Sequence, residues 1–194
     1  MSISVRYLLI GPDQEKPEGA RDYALMLVML RLSMRVAEVC SLRASSIKWS
    51  HGRWTLRCKV KGGRGLAVAE GCEQAIDEYL KLDAQRRATL HSDRDAFLFQ
   101  PHSNYRTLVF DKALSTRMVQ NIVAKWGRFT GVGDVSPHDL RRTAITRALE
   151  MGQTYRQVQM MSKHRDPKTV MRYDHGRENL EQNAVNFLRY EQED

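Results

Sequence analysis

Ser136-Pro137-His138-Asp139-Leu140-Arg141-Arg142-Thr143 reads as the start of a helix that carries two ionisable side chains on one face. Ser136 suits the N-cap, Pro137 fits the first helical position, and Asp139 closes a capping box. His138 and Arg141 are three residues apart, so they share a face, and the helix start adds its own affinity for an anion. Gly152 ends this helix, and Thr154 with Gln157 opens another. Asp166-Pro167 then begins a short helix bearing Tyr173.

Upstream, residues 21–32 are apolar nearly all round and predict a buried helix. A second short helix starts near Arg35 and turns Val36, Val39, Cys40 and Leu42 inward. From Arg53 to Lys61 the alternation is strict. It predicts a strand with Trp54, Leu56, Cys58 and Val60 inward and Arg53, Thr55, Arg57, Lys59 and Lys61 outward. Gly62-Gly63-Arg64-Gly65 is a turn, Leu66 to Ala69 returns as a strand, and Ile47 to Trp49 is a candidate third. Lys61 thus falls at the lip of a basic hairpin.

Helical stripes follow: Cys72, Ile76, Tyr79 and Leu80, then Met118, Val119, Ile122, Val123, Trp126 and Phe129. Residues 88–113 read as a long connection with little period, and 11–19 as a polar, turn-rich lead-in. Leu180, Ala184, Phe187 and Leu188 give a tail helix one apolar face. The fold class expected is mainly α with a small antiparallel β-sheet (α+β). Residues 1–19 would form a lead-in, 20–177 one domain, and 178–194 a C-terminal helix.

The formal net charge of +8 is unevenly placed. Residues 35–65 hold eight Lys or Arg against one acid, whereas 176–194 hold two against five. A concentrated basic segment suggests a phosphate backbone as partner, with Arg43, Arg53, Arg57, Lys59, Arg64 and Arg142 as candidate contacts. The apolar run Tyr23 to Leu30 is too short to span a bilayer, and the N-terminus lacks the plan of a signal peptide. Cys40, Cys58 and Cys72 are odd in number without paired metal spacing, which predicts a reduced, cytoplasmic chain. His51, His91, His102 and His175 form no ligand set with them, so neither metal nor cofactor is expected.

A phosphodiester resists attack because its charge repels nucleophiles and its alkoxide is a poor leaving group. Fixed cations stabilise charge developing on the phosphoryl oxygens, and the planar fork of arginine matches two of them. Arg35 and Arg141 are the candidates for that role, with Glu38 one turn after Arg35 placed to orient it. Tyr173 is the candidate nucleophile; a phenol titrates near ~10 in water and needs a base or positive surroundings to attack at neutral pH.

In order and spacing, Arg35, Lys61, His138 with Arg141, His164 and Tyr173 resemble the tyrosine recombinases, the phage-integrase, Xer and Cre family. The resemblance runs from about residue 20 to 175 and implies the tyrosine recombinase catalytic-domain fold. It also implies site-specific cleavage and rejoining of DNA through a 3′-phosphotyrosyl link, without ATP or another cofactor. Lys61 would then be the general acid to the 5′ oxygen, His138 a proton carrier, and His164 a hydrogen-bond donor to the phosphate.

The family implies self-association on DNA, with a tetramer in the synaptic complex and a monomer without DNA. The tail helix would dock in trans on DNA and in cis or loosely without it. About twenty residues precede the motif region, too few for the family's separate core-binding domain, so a catalytic fragment is expected. Ser33 stands where family members commonly have glycine, two positions before the first arginine. Ser162-Lys163 stands where they often have Leu-Gly, so the turn before His164 is where local geometry is expected to differ. Two alternatives are a helix-turn-helix DNA-binding module without catalysis, formed by residues 138–161, and a type IB topoisomerase-like enzyme.

Overall fold

A helix buried on nearly every side organises the molecule. The computed structural model describes residues 5–50, 52–57, 71–82, 88, 95–102, 112–174 and 186. After α1 (Val5–Ile10), α2 (Pro17–Leu32) opens with proline in its first turn and ends on Ser33. Leu25, Met26, Val28 and Met29 of α2 are fully buried. Each contributes about 1.5–3 kcal/mol through apolar burial. Leu8 of α1 is fully buried as well, so the lead-in contributes to this core.

The second turn of α2 departs from the apolar reading, for Arg21 and Asp22 are buried as an ion pair. Asp22 Oδ1 accepts from Arg21 Nε at 2.9 Å, and Oδ2 accepts from the Trp126 indole at 2.9 Å. Burial raises the Asp22 carboxyl pKa, and the Arg21 guanidinium opposes it.

α3 (Val36–Cys40) follows, then a 3-10 turn (Ala44–Ser46) and an antiparallel ribbon of β1 (Ile47–Ser50) and β2 (Arg53–Leu56). In this register Ile47, Trp49, Trp54 and Leu56 share a face, as the alternation requires. Burial along that face is not uniform. Leu56 is 1% exposed but Trp54 is 43% exposed, and Thr55, expected outward, is buried. The ribbon projects from the core: its tip is closed by an edge-to-face contact between Trp49 and Trp54 at 5.4 Å, and the Thr55 hydroxyl donates to the Lys48 carbonyl. Cys58, Lys59, Val60, Lys61, the turn at 62–65 with Arg64, and the strand at 66–69 lie outside the described residues. So does the tail helix at 178–194, apart from Asn186.

α4 (Cys72–Leu82) packs on α2 through Cys72, Ile76 and Tyr79. Residues 95–102, within the predicted connection, are irregular backbone that buries Ala96, Leu98 and Phe99 in the core. Leu98 N donates to Leu42 O, Ala44 N to Ala96 O, and Phe99 stacks on Tyr79. α5 (Thr116–Phe129) is capped by the Ser115 hydroxyl and buries Val119, Ile122, Val123 and Trp126. Phe129 leaves the predicted stripe; as the last helical residue it is 73% exposed, lying edge-on to Trp126.

α6 (Pro137–Glu150) starts with the predicted capping box, Ser136 Oγ accepting from Asp139 N and Asp139 Oδ2 from Ser136 N. Gly152 takes a φ of 79° after it, and Thr154 and Gln157 cap α7 (Tyr155–Ser162) reciprocally. α8 (Pro167–Met171) is capped by Asp166. Tyr173 lies two residues past the end of α8 rather than within it, its amide donating to Val170 O at 3.0 Å.

Two apolar clusters result. The large one includes α2, α4, α5 and Leu140; the small one consists of Ile145, Val158 and Val170, with Tyr173 packed against it. α6 contributes to both and therefore joins the two. Among the described residues no helix is long and apolar enough to cross a membrane.

Candidate active site

Arg141 sits where the two clusters meet. Its guanidinium is buried and donates through Nη1 to Ser33 O, at the end of α2, and through Nη2 to Ser162 O, at the end of α7. Both carbonyls are presented by left-handed turns. Ser33 has φ 49°, and Lys163, next after Ser162, has φ 55°; these are the non-glycine residues with positive φ among those described. Left-handed backbone disfavours a Cβ by about 1–2 kcal/mol per residue, so the surrounding contacts must hold both turns. Lys163 thus adopts the strained conformation itself, and the turn before His164 keeps its shape without glycine. Ser33→Gly relieves the strain and removes a buried hydroxyl that lacks a hydrogen-bond partner. It is expected to raise the melting temperature by roughly 2–4 °C, given about 1 kcal/mol gained; calorimetry checks this.

His164 shares the guanidinium. Arg141 Nη2 lies 3.1 Å from His164 Nε2, and Ser162 Oγ lies 2.9 Å from His164 Nδ1. The single hydroxyl proton of Ser162 goes to Val158 O at 2.7 Å, so Ser162 Oγ accepts from Nδ1–H. Nε2 is then the bare nitrogen, accepting from arginine. Burial first, then Arg141, Arg35 and His138, pushes the His164 pKa down to about 4. With that pKa the ring is neutral at pH 7 and accepts from Arg141, so the expected donation to a phosphate through Nε2 requires a proton.

The linkage has a definite sign. Unfolded histidine titrates near ~6.5 and folded His164 near 4, so between these values only the unfolded chain binds the proton. Stability from this group is complete above about pH 6.5 and is lost as pH falls toward 4. His164→Gln should flatten that part of the pH–stability curve, and a ring-proton NMR titration should place the wild-type midpoint well below 6.

Arg35 is the N-cap of α3, with a side chain 44% exposed beside the buried Glu38. Glu38 Oε1 accepts from Arg35 Nη1 at 3.1 Å, and Oε2 accepts from Arg35 N at 3.1 Å and from Lys163 Nζ at 3.0 Å. Burial alone would raise the Glu38 carboxyl pKa, but the Arg35 amide, Lys163 and the Arg35 side chain together hold it below its usual value. Burial, then Arg35, brings Arg141 down to about 10, leaving it charged at neutral pH.

His138 is exposed on the first turn of α6, and its charge reaches His164. Tyr173 is half-buried; its ring runs nearly parallel to that of His164, 18° apart with centroids at 6.1 Å, and its phenol is within electrostatic reach of Arg141. The following residue is tied down, Tyr155 OH donating to Asp174 Oδ2. Arg35, Glu38, His138, Arg141, His164 and Tyr173, spread over 139 positions of sequence, thus converge on one site.

The other basic candidates separate. Arg53, Arg57 and Arg142 are exposed. Arg43 is engaged within the fold, its guanidinium 4.1 Å from the Phe97 ring centre and donating to Asp95 O. Sequence reasoning missed Ser162 and the Lys163 side chain as parts of the site. Their only signal was the substitution of the family's Leu-Gly. Among the described residues no group of three His, Cys, Asp or Glu could hold a metal ion.

The sequence profile of the Phage integrase family matches residues 5–179. The chain belongs to the phage integrase family. Tyrosine recombinase XerC of Corynebacterium glutamicum is 31% identical over 160 residues, covering 81% of this chain and 47% of that protein. XerC of Chlamydia trachomatis is 27% identical, covering 87% of the chain and 50% of its own length. This phage integrase family chain spans about half the length of these curated relatives. Among solved structures, XerA recombinase superposes with a TM-score of 0.69 at 26% identity, over 95% of this chain and 63% of that one. XerH bound to its difH substrate before cleavage gives a TM-score of 0.70 at 22% identity, over 95% and 51%. The fold is therefore the tyrosine recombinase catalytic-domain fold, mainly helical with a small antiparallel sheet. These matches are to recombinases, which disfavours both the simple binding module and the topoisomerase reading.

Proposed function

We propose that this chain is the catalytic domain of a site-specific DNA recombinase that cleaves and rejoins double-stranded DNA through a 3′-phosphotyrosyl intermediate on Tyr173. The observation that carries this reading is the convergence of Tyr173 on the Arg141–His164 pair, with Arg35 facing the same site. Arg35 and Arg141 hold the non-bridging phosphoryl oxygens and offset charge as it develops. The Tyr173 oxygen forms a bond to phosphorus, the bond to the 5′ oxygen breaks, and the leaving oxygen takes a proton. Lys61, on the strength of the resemblance, supplies that proton, and His138 carries the phenol proton away. A bound phosphodiester partly neutralises the arginines, which restores the proton affinity of His164 and lets it donate to the phosphate.

Arg53, Arg57, Lys59, Arg64 and Arg142 would follow the DNA backbone, and several copies, a tetramer in the synaptic complex, would assemble on the substrate. Without DNA the chain would be a monomer. Its relatives are bacterial, and it would act in the cytoplasm on DNA there. The test is incubation with nicked suicide duplexes of randomised core sequence, followed by a denaturing gel. A band of protein covalently joined to DNA is expected, with and without EDTA, because side chains supply the cations. Cleavage abolished by EDTA, or no adduct, contradicts the proposal.

A further inference from the structure

The carboxylate of Glu38 carries two cations, and only one of them belongs to the phosphate clamp. Lys163 Nζ reaches Glu38 Oε2 at 3.0 Å from 125 residues away, with side chains 11% and 8% exposed. Its backbone is equally committed. The left-handed turn at Lys163 follows Ser162, whose carbonyl holds Arg141 and whose hydroxyl holds His164. A glycine would make this turn more easily. It would leave Glu38 Oε2 with only the Arg35 amide among the donors described here.

We propose that Lys163 is a positioning residue for the cleavage step, its ammonium locking Glu38 so that Arg35 is held toward the phosphate and the α7–α8 turn is braced against α3. This rests on the recombinase reading. Without the ammonium, the carboxylate keeps only one of its two directly bound cations. It then draws the Arg35 guanidinium inward and opposes the incoming phosphate. A buried, charge-assisted hydrogen bond is the kind of contact that can hold such an arrangement. The groups facing Glu38 are Arg35 from α3, Lys163 from the α7–α8 turn and, at longer range, Arg141 from α6.

Three substitutions separate charge from backbone. Lys163→Gly relaxes the turn and removes the ammonium, Lys163→Met keeps the stem without charge, and Lys163→Arg restores the charge. Single-turnover cleavage of nicked duplex should slow about tenfold in the Gly and Met variants and recover with Arg. DNA affinity should stay within about threefold, and Lys163→Gly should melt within a few degrees of the wild type. In the DNA-free protein, a carbon-13 titration should move the Glu38 carboxyl to higher pH in the Gly and Met variants. Wild-type cleavage rates in Lys163→Gly, Arg no better than Met, or an unmoved Glu38 titration would each overturn the proposal. If the wild-type chain itself forms no adduct, the recombinase reading fails, and the Glu38 titration then decides the brace by itself.

Discussion

Tyr173→Phe is expected to bind nicked duplex DNA with wild-type affinity and to form no covalent adduct, a loss on the order of 10⁴-fold or more. The substitution removes one oxygen and leaves the ring that packs against Ile145, Val158 and Val170, so the small cluster and its fold should persist. The other described tyrosines are poorly placed to substitute. Tyr79 is fully buried against Phe99, Tyr23 of α2 packs against the large cluster, Tyr7 is exposed on α1, and Tyr155 is engaged with Asp174. Gel-shift and denaturing-gel assays on the same substrate separate binding from cleavage. An undiminished adduct in the mutant would remove Tyr173 from its assigned role.

Arg141→Lys should also be severely damaging, although it conserves charge. A lysine ammonium cannot reproduce a planar fork that meets Ser33 O, Ser162 O and His164 Nε2 at once. Leaving one of these buried acceptors without a donor costs about 1–3 kcal/mol, and two are at risk. We expect a stability loss of about 2–4 kcal/mol and a fall in cleavage of on the order of 10²–10³-fold, as for loss of an oxyanion-type donor. Because Arg141 ties the two clusters together, the loss should be local at first. Amides of α7 and α8, which rest on the small cluster, should exchange faster while those of α2 keep most of their protection. Cleavage within tenfold of wild type, or uniform loss of protection, would contradict this account of Arg141.

What could be read from sequence was what local chemistry decides. The caps at Ser136, Thr154 and Asp166 depend on residues within three positions of each other, and each forms as expected. The buried character of α2 and the stripe of α5 follow from period alone, because a continuous apolar face has nowhere to go but the core. Other positions depend on distant partners. Trp54 has strand alternation, yet whether the ribbon tip meets the core is set by the rest of the fold. Residues 95–102 lack a period because they are irregular backbone, pinned by Leu42 and Ala44 rather than by a helix or sheet of their own. That Arg43 rests on Phe97, 54 positions later, could not be read from the basic run around it.

The candidate site divides along the same line. Arg35, Glu38, His138, Arg141, His164 and Tyr173 were recognisable by residue type and order, since the chemistry restricts what can stand there. That Arg141 holds two left-handed turns, and that Lys163 closes on Glu38, could not be read, because both depend on backbone torsions and on pairs 108 and 125 residues apart.

The central claim is that Tyr173 takes up the DNA phosphate, and locating the adduct on the chain tests it most directly. Wild-type protein trapped on nicked suicide duplex would be digested with nuclease and trypsin and the peptides sequenced by mass spectrometry. The account predicts one modified peptide, carrying a nucleotide 3′-phosphate on the oxygen of Tyr173. A nucleotide on any other residue, or on none when strand cleavage has occurred, would contradict it.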